Sequence, residues 1–324
     1  MNNPINTSGS NAANVLDEKR VAELSVESAT VVDQLSAWQR VKKSTSVRLG
    51  GITLLVLIVI ALLAPVLGTV DPTLFDPGSR DLLPGKTGEI TTLEGETIKH
   101  RFLMGSDSFG RDIYSRVIYG TRVSLLVGIS TALVALSFGI VLGLCAGFLR
   151  WLDGFLMRVM DGIMAIPAIL IAIALVAMWR GSLITVVLAI AIPEIPRVTR
   201  LVRSLVLSIR EEPYVEAAVS LGTSVPKIMW RHILPNCVAP LVVQGTFICA
   251  SGILVEAILS FLGVGLPPDI PTWGNVMAEG RDQFNQFPHN IFFPGIFLAV
   301  TVLAVNVLGD GLRDTLDPKM AKRV

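Results

Sequence analysis

Apolar residues in this chain fall in long blocks separated by short charged stretches. Leu49–Val70, Val123–Leu149 and Gly162–Trp179 carry no charge, Val238–Leu266 carries only Glu256, and Ile291–Gly309 again carries none. A bilayer core takes about 20 apolar residues per helical span, and each block is close to that length or above it. A sixth segment runs from Gly181 to Ile209; it is uncharged through Pro193 and then includes Glu194 and Arg197. The pattern predicts an all-α membrane protein with six transmembrane helices. Barrel strands would alternate with period two over about 10 residues, and no such alternation is visible. Backbone facing lipid must satisfy its own hydrogen bonds, which a helix does.

Six spans put both termini on one side. Arg40, Lys42, Lys43, Arg48, Arg150, Arg158, Arg200, Arg203, Arg210, Lys227, Arg231, Lys319 and Lys322 all fall on that side, so the excess of Lys and Arg predicts cytoplasmic termini. The resulting organisation is a cytoplasmic tail over 1–48, a first helix over 49–70, and an extracytoplasmic loop over 71–122. A core over 123–312 holds the other five helices, a cytoplasmic loop at 211–236 and an outer loop at 266–290. A cytoplasmic tail covers 313–324. Within the first tail, Val21, Leu24, Val31, Leu35 and Trp38 recur near helical spacing, so an interfacial helix over 15–43 and a solvated tail are both open. No signal peptide is expected, since the first apolar run is long enough to span.

Composition narrows the picture. Hydrophobic residues make up 52% and charged residues 16%, against about 25% charged in globular domains. The net charge of +1 offers no basic surface for nucleic acid, and lipid is the expected surrounding. Cys145, Cys237 and Cys249 lie in or beside spans and read as buried small hydrophobes, not as a disulfide or metal set. Gly85-Lys86-Thr87 invites a phosphate-loop reading. It fails because Arg80 stands where the motif needs glycine and no apolar helix follows.

Two outer stretches have turn chemistry. Gly105-Ser-Asp-Ser-Phe-Gly-Arg-Asp112 predicts a glycine-pivoted turn leading into an amphipathic helix along the outer membrane surface, either as part of a vestibule or as an interfacial anchor. Asp107, Gly110, Arg111 and Asp112 are the candidate residues there. In the proline-rich loop after Leu266, Trp273 is a candidate interfacial anchor.

The most informative stretch is Tyr214-Val-Glu-Ala-Ala-Val-Ser-Leu-Gly222, closing with His232-Ile-Leu-Pro235. Pro213 suits a first helical position and the acidic residues before it suit a helix N-terminus. Gly222 predicts a left-handed stop, Thr223 or Ser224 caps a second short helix, and Pro235 ends it. Two short helices with a glycine elbow follow, with Ala217 and Ala218 as a thin face and Glu216 as a charge for a partner arginine. Nothing in the stretch is catalytic, so it reads as a docking surface or a plain connection.

The stretch resembles the Glu-Ala-Ala loop of bacterial ABC-importer permeases: Glu216-Ala217-Ala218, three residues, Gly222, nine residues, then His232-Ile233-Leu234-Pro235. His232 replaces the usual isoleucine, and His-Ile-Leu-Pro-Asn is similar to the peptide-transport branch. Gly105–Asp112, Leu259-Ser-Phe-Leu-Gly-Val-Gly265, Pro271-Thr-Trp-Gly274 and Asn306–Pro318 resemble the same branch. Together they cover residues 40–320. The resemblance implies the C-type permease subunit of a dipeptide, oligopeptide, nickel, glutathione or opine importer with the type I importer permease fold, in the bacterial inner membrane. It implies four kinds of partner chemistry: a second permease subunit, two ATP-binding subunits that use ATP and Mg, an extracytoplasmic substrate-binding protein, and lipid. By the same resemblance the chain itself is expected to bind no cofactor and no metal and to have no catalytic residue. Tyr214, Glu216, Ala217, Ala218, Gly222, His232 and Pro235 would couple to the ATPase; Asp107, Gly110, Arg111, Asp112 and Trp273 would serve the outer vestibule.

Charges inside the spans are the remaining candidates. A carboxylate at the bilayer centre costs about 2.5–3.5 kcal/mol on insertion scales, so Glu256, placed mid-way along the fifth span, either lines the path or accepts a hydrogen bond within the bundle. Pro193 and Pro196 should kink the fourth span. Glu194 and Arg197, three apart, can pair and are candidate gating residues; Arg158 and Asp161 should pair likewise. An ion-driven secondary transporter is the alternative, with Glu256 as its one deep carboxylate and no evident repeat. A membrane-embedded enzyme is disfavoured, because His100, His232 and His289 are scattered.

Overall fold

A computed structural model describes residues 41–316 except 93 and 180. The chain divides into two units, 1–43 and 44–324. Of the first, only 41–43 are described, and they are helical; the rest of the segment expected as a helix over 15–43 lies outside the described residues.

The second unit is mostly helical. Helix α1, Thr45–Leu62, starts at Ser44, whose hydroxyl accepts from the Val47 N–H at 3.4 Å. Ile52, Leu55, Val56 and Val59 leave it exposed and apolar, as a lipid-facing surface must be. A two-stranded hairpin follows, β1 (Thr87–Thr91) paired antiparallel with β2 (Thr97–Arg101). It corrects the all-α expectation. The pattern there is too polar to signal a strand; Ile90 and Phe102 are buried beneath it.

Helix α2 spans Ile113–Phe148 and is capped by Asp112, whose carboxylate accepts from the Ser115 N–H at 2.9 Å. The amphipathic surface helix expected after Asp112 is instead the buried first turns of α2, with Ile113, Val117 and Ile118 in the core. The expected third span, Gly162–Trp179, is also corrected. It is a pair, α3 (Arg150–Met164) and α4 (Ala168–Met178), bent by 85°. Pro167 sits at the break, and the residue before a proline is disfavoured in helix. The 11 residues of α4 rise only about 16 Å, half of a bilayer core.

Helix α5, Leu183–Ile209, runs unbroken through Pro193 and Pro196. After the short helices α6 (Pro213–Ser220) and α7 (Val225–Ile228), a π turn at Met229–Ile233 leads directly into α8, Leu234–Phe261. Pro235 therefore does not end a helix. It sits in the first turn of α8, where the π turn accommodates its missing N–H. Helices α9 (Trp273–Gly280) and α10 (His289–Leu316) complete the unit. Among the described residues, four helices are long and apolar enough to cross a membrane, or five counting the bent pair as one span.

The α2–α5 contact organises the bundle. Gly139, Gly143 and Gly147 recur every fourth residue on α2 and face Val198, Val202 and Val206, spaced alike on α5; a methyl added at any of the three would overlap its valine. Small residues let helix backbones approach closely in lipid, where burial from water supplies no drive. Segment ends sort to two levels. At one, the Arg210 guanidinium donates to the Gly147 carbonyl at 3.3 Å, and Gly311 packs on Val47. At the other, Arg122 donates to the Leu62 carbonyl at 3.1 Å and α9 packs on the start of α2.

Candidate coupling surface

Helix α6 has Pro213 at its start and Glu216 in its first turn, both favourable at the positive end of a helix. Its spacing divides it into two faces. Val215 (1% exposed) and Ala218 (8%) join a core cluster with Val202, Val206, Ile228, Ile233 and Cys237. Glu216, Ala217, Val219 and Leu221 point outward, Leu221 with 85% of its surface exposed. The expected thin face of Ala217 and Ala218 is thus corrected. Ala218 packs inward, three residues from Val215 on one helical face, and Leu221 takes its place outside. The signal for Leu221 was in the sequence: a large apolar residue before a glycine stop, off the Val215–Ala218 stripe.

The helix ends as its glycine predicts. Gly222 adopts φ +73°; its N–H donates to the Val219 carbonyl at 2.9 Å, and the Thr223 N–H donates to that of Ala218 at 3.1 Å. This pair of bonds satisfies the last carbonyls of α6 with a left-handed residue that glycine accommodates without strain. Ser224 takes the cap position of α7, but its side chain makes no capping bond.

Tyr214, His232 and Asn236 clasp α6 to the start of α8. The Asn236 amide donates to the Tyr214 hydroxyl at 3.2 Å and to the His232 carbonyl at 2.6 Å. The His232 and Tyr214 rings lie 6.5 Å apart, which gives the unusual histidine a packing role that isoleucine would fill without polarity. Burial, Glu212 and Cys237 push the Tyr214 phenol above its ordinary value, so it stays a neutral hydroxyl. Asn236 was not among the expected site residues; only its position one turn after His232 hinted at it.

At the opposite level the expected vestibule residues turn inward. Asp107, Asp112 and Trp273 are buried. The Trp273 indole N–H donates to the Val117 carbonyl at 3.1 Å, which corrects the interfacial-anchor reading. Gly110, at φ +83°, lets the loop fold so that Asp107 meets Arg111 at 2.7 Å and Arg116 at 3.2 Å. Glu279 of α9 closes the cluster at 2.5 Å from Arg111 and 2.9 Å from Arg116. Burial pushes the Glu279 carboxyl up, while both arginines pull against it.

Glu194 and Arg197 pair at 2.9 Å, as their spacing predicts. Asp161 does not pair with Arg158; it reaches Arg200, and Asp153 meets Arg203 at 2.6 Å, so the α3 carboxylates anchor that helix to α5. Glu256 lies in the last two turns of α8, not at its middle. It is fully buried, and its Oε1 accepts from the Ser260 hydroxyl at 2.8 Å.

Long apolar helices with exposed apolar faces, interrupted by a short helix pair between α5 and α8, define a multi-span membrane protein. The family described as binding-protein-dependent transport system inner membrane component matches residues 135–322, and the N-terminal transmembrane domain of oligopeptide transport permease C matches residues 35–84. A probable peptide ABC transporter permease protein of Sinorhizobium fredii is 48% identical over 87% of this chain and 92% of its own length. A dipeptide transport system permease protein of Alkalihalophilus pseudofirmus is 41% identical over 88% and 89%. An inward-facing methionine ABC transporter chain is similar over 60% of this chain and 95% of its own, at 16% identity and a TM-score of 0.45, a distant likeness on which nothing below depends. This chain belongs to the family of binding-protein-dependent transport system inner membrane components, as a permease of the peptide-transporter C type. It is a multi-pass inner-membrane transport subunit of an ABC importer, not an enzyme, and the ion-driven alternative falls away.

Proposed function

We propose that this chain forms half of a path for di- and oligopeptides, beside a second, different permease subunit. The path would be closed below by two ATP-binding subunits that hold the ATP and Mg. The relatives named for peptide and dipeptide transport support the ligand class. Six spans with both termini cytoplasmic fit the type I importer permease fold. The span that brings the five to six is α5, fourth in chain order, whose 27 residues rise about 40 Å. Its charges meet partners: Glu194 with Arg197, Asp161 with Arg200, and Asp153 with Arg203, which lowers the cost of placing them near lipid.

The observation that carries the coupling assignment is α6 itself. It lies outside the spans, yet it leaves Leu221 and Val219 exposed beside Glu216 and Ala217, and exposed apolar surface there marks a protein contact. Glu216–Gly222 is the helix an ATPase subunit grips, with His232 and Pro235 behind it. The substrate-binding protein approaches the hairpin level, where Asp107, Gly110, Arg111, Asp112 and Trp273 shape the surface from beneath. Glu194–Arg197 serves α5, and Glu256 is a hydrogen-bond acceptor within the bundle.

The test is ATP-dependent uptake by the reconstituted transporter. Labelled dipeptides and longer peptides should enter, and Ni²⁺ should not; the reverse would overturn the ligand class. Glu216→Lys and Gly222→Pro should reduce uptake to background with normal amounts of the chain in the membrane. Unchanged uptake in both would remove the coupling role.

A further inference from the structure

The first turns of α8 are where its backbone is softest. Met229–Ile233 forms a π turn, and Pro235 and Pro240 follow within the helix. Neither proline has an N–H to donate, so the ladder lacks two rungs close together. Helices bend at π turns and at prolines. Asn236 stands between the two prolines, and its side-chain amide donates to Tyr214 of α6 and to the His232 carbonyl of the π turn.

The same residue reaches a second feature. Asn236, Pro240 and Gln244 line one side of an open cavity of about 850 Å³, with Leu201 of α5 and Arg313 of α10 also lining it. The wall of this cavity and the attachment of α6 therefore share one side chain.

We propose that residues 229–240 are a hinge, and that the Tyr214–Asn236 hydrogen bond drives it, carrying displacement of α6 into the cavity wall. Tyr214 and Asn236 are then positioning residues. The hinge bends the start of α8 while the remainder of the helix, held by its packing on α2 and α10, stays in place. The inference rests on α6 being the helix an ATPase subunit grips.

The experiment uses the complete transporter with both permeases, both ATPases and the binding protein. Tyr214→Phe removes one hydroxyl and keeps the ring; Asn236→Ala removes the donor. Cysteines at Leu201 and Ala239, which face the cavity from α5 and from the hinge segment, report its width through cross-linking yield with and without ATP. Each variant should assemble normally and hydrolyse ATP. Peptide taken up per ATP should fall about fivefold, the scale of one hydrogen bond. The ATP-dependent change in cross-linking should disappear. The double variant should be no worse than either single, because both remove the same bond.

A cavity that still responds to ATP in both variants, or uptake per ATP at the wild-type level, overturns the hinge drive. So does a parallel loss of assembly, hydrolysis and uptake in Tyr214→Phe, which would make the clasp structural only. If Glu216→Lys and Gly222→Pro both leave uptake intact, the proposal fails together with the assignment of α6, an outcome distinct from failure of the clasp alone.

Discussion

Arg116 is the residue on which the hairpin level most depends. It is almost fully buried, with Asp107 at 3.2 Å and Glu279 at 2.9 Å. Breaking a buried ion pair from one side costs about 3–5 kcal/mol, because the remaining charge loses its compensation. Arg116→Met should therefore lower the yield of folded protein and its unfolding temperature in detergent. Adding Glu279→Gln should recover part of the loss; no recovery would mean that Arg116 acts through packing alone. In sequence, Asp107 and Arg111 stood out only as parts of a turn. The partner that gives them meaning, Glu279, lies far along the chain, and no local pattern pairs the two segments. Glu194 and Arg197 were legible for the opposite reason: three residues on a helix fix their separation before any tertiary contact forms.

At the scale of elements, the α2–α5 contact should be the most sensitive to size. Gly143→Leu places a side chain where a methyl already overlaps Val202, and overpacking costs about 1–3 kcal/mol or more when the neighbour is a backbone. Membrane insertion should survive, since the span stays apolar, but assembly with the other subunits should fall. Normal assembly would show that the helices can separate without loss. Helix α6 gives a second prediction. Cysteine at Ala217 or Leu221 should cross-link to an ATP-binding subunit, and cysteine at Ala218 should not, because it is buried within the core cluster; equal yields at 217 and 218 would contradict the packed face. The sequence pointed to α6, its start and its glycine stop. It did not separate Ala217 from Ala218, since both are small and only the tertiary core cluster decides which is covered. Pro235 misled for a related reason: a proline usually stops a helix, but the π turn at Met229–Ile233 lets this one continue.

For the whole molecule, segment ends sort to two levels, and we propose that the one with the excess of Lys and Arg is cytoplasmic. Single cysteines at Leu221 and at Phe109, both exposed, should react with an impermeant reagent from opposite faces of the membrane. Labelling of both from one face would invert or break the six-span topology. Hydropathy located the apolar blocks because lipid imposes one constraint on every spanning segment, whatever its neighbours: about 20 apolar residues with internally satisfied backbone. It also singled out the polar insert at 211–236, the segment proposed to couple to the ATP-binding subunits. Tertiary structure alone decided that α2 extends back to Ile113 beneath α9, that the third block breaks at Pro167, that Trp273 is core, and that Asn236 joins α6 to a cavity wall. Each of these depends on which distant surface covers a residue, and burial against a distant surface leaves no periodic trace in the local sequence.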